Sequence, residues 1–215
     1  MLTLPTKTNL KQWGKLTNDR CFCGKRQTLN HVLNCCNVSL NQGRFTYRHD
    51  NILLYIAKCL DRKKFTCYVD IDGFQTPTSG TLPPSLVVTN LKPDLVIIDK
   101  KCKSVNIFEL TVPKETRIQI ANTLKKDKYQ HFTRDIQASE VSVTPFEVGS
   151  HTGLVTRENR KSLQNIHKYC IKNIKLSTFI KNISSISVLS SFHIFSSRNE
   201  ADWSKGDPIL APFAN

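Results

Sequence analysis

Residues 92–115 read KPDLVIIDKKCKSVNIFELTVPKE, and the two β-rich apolar runs in this stretch each carry an acid, Asp94 and Glu109. An unpaired carboxylate is costly to bury, so both acids need partners. In VNIFELTV (105–112) a period of two sets Val105, Ile107, Glu109 and Thr111 on one face and Asn106, Phe108, Leu110 and Val112 on the other. Asp94 opens the run DLVIID (94–99), directly after Pro93. Two neighbouring strands of this kind can present both acids to one divalent cation, which neutralises them and removes the burial penalty. A hard ion held by two carboxylates activates water and stabilises developing negative charge, which is the chemistry of phosphodiester hydrolysis.

Outward from this pair, the pattern predicts an α/β protein. Upstream, Phe45, Ile52, Leu53, Ile56 and Leu60 recur at helical spacing, which predicts a helix over 44–60. FTCYVDI (65–71) alternates as a half-buried strand does, GFQTPTSGTLPP is a loop, and SLVVT (85–89) is a further short strand. Downstream, residues 115–133 fit a helix with Ile118, Ala121, Leu124, Lys125, Lys128, Tyr129 and Phe132 towards one side. VSVTPFEVG (141–149) reads as a strand in which Pro145 marks an edge or a bulge. From Arg157 the chain is mostly helical to about Ile180 and then Ser-rich, and ADWSKGDPILAPFAN reads as a tail. The first 20 residues read as a short helix with a loop.

The chain has 215 residues and a net charge of +14, enough length for one sizeable core. Its start, MLTLPTKTNLKQWGK, resembles no signal peptide, and no run approaches the roughly 20 apolar residues of a spanning helix. The expectation is an intracellular protein with no membrane partner. Residues 1–64 hold 12 Lys/Arg against Asp19, Asp50 and Asp61 alone. Such a surplus attracts a polyanion, although a solubilising surface is the plainer alternative.

Eight cysteines without a secretory leader argue for metal binding or free thiols before disulfides. In CFCGKRQTLNHVLNCC, Cys21, Cys23 and His31 supply three ligands, and Cys35 or Cys36 a fourth, enough for a closed tetrahedral zinc site. Gly24 lets the chain turn tightly there, although C-x-C is shorter than the usual zinc spacing. Cys59, Cys67, Cys102 and Cys170 have no neighbouring ligands and read as small core residues. His49 lies in RHD (48–50) but also on the apolar stripe of its helix, so both a core and a site role are open.

Taken in order, CFC…HVLNCC, RHD (48–50), KPD (92–94), ELTVPKE (109–115), ANTLKKDKY (121–129), FEVGS and FHIFSSRNE resemble the restriction-like endonuclease region at the carboxy end of site-specific, early-branching non-LTR retrotransposon proteins. The resemblance covers nearly the whole chain. It implies a PD-(D/E)XK nuclease fold, a central mixed sheet flanked by helices, that nicks double-stranded DNA with Mg²⁺ or Mn²⁺. It further implies Asp94, Glu109 and the Leu110 carbonyl as metal ligands, and a catalytic lysine from the following helix, Lys125 ahead of Lys128. The usual lysine position two residues after the acid is Thr111 here. The family knuckle favours Cys36 over Cys35 beside Cys21, Cys23 and His31 for Zn²⁺. For Arg48, His49 and Asp50 it implies a role in DNA positioning or near the active site, and Arg48 and His49, with Lys25, Arg26, Arg44 and Lys92, become DNA-binding candidates; RNA of a parent element is a second partner, a small-molecule substrate is not expected, and the nucleus is the expected compartment.

The resulting organisation is an amino-terminal helix and knuckle (1–43), a nuclease core (44–150) and a helical extension with a tail (151–215). No adjacent Asp-Asp pair occurs, so the paired aspartates of the polymerase are missing, and the chain reads as a carboxy-terminal fragment or a detached relic of a mobile-element polyprotein. Rival readings are a nucleic-acid-binding relic without cleavage activity and a zinc-stabilised interaction module.

Overall fold

A computed structural model describes residues 4–71, 91–129, 136 and 140–209. The elements in chain order are α1 (Lys7–Gln12), α2 (Asn37–Asn41), α3 (Arg44–Cys59), β1 (Thr66–Val69), β2 (Leu95–Asp99), β3 (Ser104–Thr111), α4 (Ile118–Tyr129), β4 (Glu140–Glu147), α5 (Arg157–His167) and α6 (Leu176–Ser196). One π-helical turn, His31–Cys35, precedes α2, and a 3₁₀ turn, Glu115–Arg117, leads into α4. The expected strand 85–89 and the end of the expected helix, 130–133, lie outside the described residues.

The sheet runs β1-β2-β3-β4. β1, β2 and β3 pair antiparallel, and β4 returns parallel to β3 after the α4 crossover, so the sheet is mixed. Parallel pairing needs such a crossover, because a tight hairpin can only reverse the chain. Pro145 pairs with Glu109 on edge strand β4, where a missing N–H is tolerated.

Alternation along β3 splits the apolar residues between the two faces. Phe108 and Leu110, with Leu95, Ile97, Cys67 and Val69, pack under α3, α5 and α6 to form the main core. Val105 and Ile107 pack with Val96, Tyr68 and Tyr129 on the opposite, smaller side, under α4. Glu109 therefore faces α4.

Two expectations give way here. The Ser-rich segment continues as α6 to Ser196, because Phe179, Ile180, Ile183, Ile186 and Ile194 keep helical spacing through the serines. Three of those serines face inward: Ser187 and Ser191 donate to the Gly149 and Ser150 carbonyls, and Ser190 accepts from Asn51. Part of the expected tail is also docked, since Trp203 stacks edge-on against Tyr47 and lies beside Arg44. Of the four lone cysteines, Cys59, Cys67 and Cys170 are buried as expected, but Cys102 is exposed in the β2–β3 turn. Among the described residues, no helix is long and apolar enough to cross a membrane.

Candidate active site and metal centre

Asp94 sits one residue ahead of β2. Because Leu95 pairs with Phe108, continuing the register sets Asp94 opposite Glu109, on one face. The two lock together: the Asp94 amide donates to Glu109 Oε1 at 3.1 Å, and the Leu110 amide donates to Asp94 Oδ2 at 2.8 Å. One step further, the register places Pro93 opposite Leu110. Proline has no N–H, so the Leu110 carbonyl lacks its antiparallel donor from that strand.

α4 closes the site from one side. Lys125 donates to Glu109 Oε2 at 2.6 Å and lies 3.8 Å from Asp94 Oδ2, so one ammonium bridges both carboxylates. The Tyr129 hydroxyl, one helical turn on, also hydrogen-bonds Glu109. Lys128 donates to the Tyr129 hydroxyl at 3.2 Å and reaches Glu109 only through it. Of the two lysines, therefore, only Lys125 meets the acids. Leu124, expected on the packed side, is 64% exposed, because α4 presents Lys125 and Tyr129 to the sheet instead.

α3 reaches the same acid from the other side. His49 Nε2 lies 3.4 Å from Asp94 Oδ2, and Nδ1 lies 3.3 Å from Asp50 Oδ1. Burial opposes the charged imidazole, but the hydrogen bonds and charges of Asp50 and Asp94 win and raise His49 to about 9. Burial would also raise Asp94, yet His49, then Lys125 and the Leu110 amide hold it below the ordinary carboxylate range. Glu109 goes the other way: burial and the Asp94 charge outweigh Lys125 and Tyr129 and raise it. Lys125 is raised because Asp94 and Glu109 overcome its desolvation. His49 opens onto a cleft of about 530 Å³ lined also by Phe45, Thr46, Asp50, Asp70 and Lys92.

Two carboxylates and a backbone carbonyl are hard oxygen donors of the kind Mg²⁺ or Mn²⁺ takes, and Lys125 already stands at the position of positive charge between them. In the structure the Lys125 ammonium, 2.6 Å from Glu109 Oε2, itself compensates the acids.

Arg44 and Arg48 are buried, against the expectation that they meet DNA. Arg44 donates to the Ser197 and Glu200 carbonyls, and Arg48 to the Val112 carbonyl and Ser191 Oγ. Both guanidiniums tie α3 to its neighbours. Lys25, Arg26 and Lys92 remain exposed, although Arg26 pairs with Asp19 at 2.9 Å.

Near the amino terminus Cys21, Cys23, His31 and Cys36 gather so that their ligand atoms all lie within 4.8 Å of one another. Cys21 Sγ and Cys36 Sγ are 3.6 Å apart, and Cys23 Sγ and His31 Nε2 are 3.1 Å apart. Tetrahedral zinc with Zn–S bonds of about 2.3 Å would set its sulfurs about 3.8 Å apart, so little movement is needed. The cluster can therefore bind a metal such as zinc. The short C-x-C step works because Gly24, at φ +80°, closes a turn in which its amide donates to the Cys21 carbonyl and the Cys21 amide to the Lys25 carbonyl. Burial, then Lys25, keeps His31 below its usual pKa, in the neutral form that ligates metal. Burial would raise Cys36, but Ser39 donors outweigh it and lower it. Cys35 is exposed outside the cluster, because the π-helical turn points it away.

Sequence reasoning did not assign roles to Tyr129 or Asp70 in the site. The i, i+4 spacing of Lys125 and Tyr129 was an available signal; nothing local marks Asp70, whose amide donates to the Asp94 carbonyl at 3.0 Å. No protein-family model matches the chain, and no curated protein matches it either.

Proposed function

We propose that this chain is a metal-dependent DNA endonuclease whose site is Asp94, Glu109, Lys125 and His49, joined to a zinc-bound knuckle. The observation that carries this reading is the half-buried ammonium of Lys125 shared by two acids on adjacent strands. Mg²⁺ or Mn²⁺, when bound by Asp94, Glu109 and the Leu110 carbonyl, supplies a Lewis acid for the phosphate and an activated water. Lys125, released from Glu109, places its positive charge beside the scissile phosphate and stabilises the transition state. His49 keeps Asp94 ionised and oriented from the α3 side. Glu109, raised by burial and by Asp94, takes up full negative charge only beside a cation.

The phosphate backbone enters through the cleft beside His49 and Lys92, and Lys25 with the basic knuckle surface holds the duplex mainly through phosphates. Arg44 and Arg48 take no part in that contact. The mixed sheet flanked by helices is consistent with a restriction-endonuclease-like fold, and the ordered motifs support an origin in a non-LTR retrotransposon protein acting on nuclear DNA.

The test is nicking of supercoiled plasmid with Mg²⁺ or Mn²⁺ by the wild type and by Asp94→Ala. Nicking that disappears in the variant is expected. Equal activity in both would remove the enzyme reading and leave a nucleic-acid-binding protein.

A further inference from the structure

A second charged surface lies at the far end of the sheet from the acids. Three connecting segments meet there: 61–64 between α3 and β1, 100–103 between β2 and β3, and 168–175 between α5 and α6. Backbone bonds hold two of them together. Leu60 bridges Cys170, the Asp61 amide donates to the Tyr169 carbonyl at 2.8 Å, and the Ile171 amide donates to the Cys59 carbonyl at 2.9 Å. The Tyr169 ring packs edge-on against Phe65, with centroids 5.0 Å apart. Burial raises the Tyr169 pKa, and the charges of Asp99, Cys102 and Glu140 raise it further, so its hydroxyl also lies near the β2–β3 turn.

The three segments hold nine Lys/Arg, all of them exposed. Few acids answer them. Asp61 pairs with Lys64 at 2.6 Å, and Asp99, which opens the β2–β3 turn, accepts from the Lys101 and Cys102 amides at 2.9 and 3.3 Å. Glu140, opposite Ser104, adds one more negative charge. Nine cations against these three acids leave +6 on one end of the molecule. Folding brings these like charges together from distant parts of the chain, and their mutual repulsion opposes the compact state. Lys103 adds backbone strain to that cost. Its φ of +51° lies in the left-handed region, which glycine or asparagine adopts most easily, yet this turn carries a further lysine there.

Asp94 precedes β2 and the basic turn follows it, so six residues of extended chain, about 20 Å, separate Asp94 from Lys100. Successive base pairs of a duplex rise about 3.4 Å, so 20 Å spans about six of them. We propose that these three loops form a second phosphate-binding surface, which grips the backbone of a nucleic-acid duplex about six base pairs from the Asp94 site. Exposed, flexible ammonium groups suit phosphates and read no base sequence. The surface is distinct from the knuckle, whose cations lie in the first 43 residues. The distance to the cut rests on the nuclease reading; the phosphate contact does not.

The test removes one exposed lysine from each loop, as Lys63→Gln, Lys101→Gln and Lys172→Gln together in the full chain. A second triple variant, Lys161→Gln, Lys181→Gln and Lys205→Gln, removes the same charge from exposed positions outside the three loops. Anisotropy with a duplex of about 20 base pairs, without divalent metal and between about 50 and 200 mM salt, gives affinity and salt slope. The loop variant should bind at least about tenfold more weakly at the higher salt, with the slope of log affinity against log salt reduced by about 2.7. The second variant should keep the wild-type slope. Equal losses in both variants would assign the effect to net charge alone, and an unchanged slope in the loop variant would leave a merely solubilising face; either result overturns the proposal. Poly-glutamate that binds the wild type as tightly as the duplex would assign the surface to an acidic protein and also overturn it. If the wild type fails to nick plasmid while the loop variant still loses slope, the nuclease reading falls and the phosphate surface stands.

Discussion

The backbone amide of Asp94 donates to the side chain of Glu109 across the β2–β3 pair at 3.1 Å. This bond fixes the spacing of the two acids by main-chain geometry, so the site is preorganised rather than gathered from mobile side chains. Glu109 has 0% of its surface exposed, and its charge depends on Lys125.

Replacing that partner exposes the dependence. Lys125→Met should destabilise the fold by about 3 kcal/mol near pH 8, because it leaves a buried carboxylate uncompensated. The loss should shrink near pH 5, where Glu109, already raised by burial and by Asp94, can take up a proton. Urea unfolding at the two pH values measures the difference, and an equal loss at both counts against a charged Glu109. Nicking by this variant should fall by at least a hundredfold if the lysine serves the transition state.

Glu109→Gln separates binding from cleavage. The amide keeps the hydrogen bond from the Asp94 main chain but lacks the charge that holds a divalent cation. Duplex affinity, read by anisotropy without divalent metal, should stay within about twofold, while plasmid nicking is abolished. A variant that still nicks removes Glu109 from the metal site.

His49 sets an alkaline limit. Its pKa rises from 6.5 to about 9 on folding, so its contribution is complete below pH 6.5 and is lost as pH climbs through about 9. That shift corresponds to on the order of 3 kcal/mol. Asp94 works in the opposite sense: held below the ordinary carboxylate range, its contribution persists at neutral pH and is lost only as pH falls through the depressed value. Thermal unfolding should therefore show stability declining between pH 6.5 and 9, and His49→Gln should flatten that slope.

The knuckle can be tested one cysteine at a time. Cys36→Ser should lower bound zinc from one equivalent, whereas Cys35→Ser should leave it unchanged, because only Cys36 joins the cluster. Metal analysis of the purified proteins distinguishes the two. A chelator should lower the melting temperature of the wild type, since metal held by the folded state alone adds its binding free energy to stability.

Surface and buried cations should behave differently. Lys25→Ala is expected to weaken DNA binding and to reduce the slope of log affinity against log salt by about 0.9. Arg48→Met should instead lower stability by about 2 kcal/mol, because the Val112 carbonyl and Ser191 lose their donor. If Arg48→Met changes the salt slope and leaves stability alone, the burial of that guanidinium is misassigned.

Local pattern was enough for much of this. The alternation in 105–112 put Glu109 on the Val105 and Ile107 face, the stripe of Phe45, Ile52 and Ile56 marked α3, and the cysteine and histidine spacing marked the knuckle, since each depends only on chain periodicity or short loops. The resemblance already ranked Lys125 ahead of Lys128 and Cys36 ahead of Cys35, but tertiary structure alone decided which ammonium touches the acids, that Arg44 and Arg48 are buried ties, and that the serines of α6 face inward. These choices depend on which elements pack together: a carboxylate selects its ammonium, and a buried guanidinium its carbonyls, through contacts between segments far apart in the chain, and single-chain periodicity carries no information about those distances.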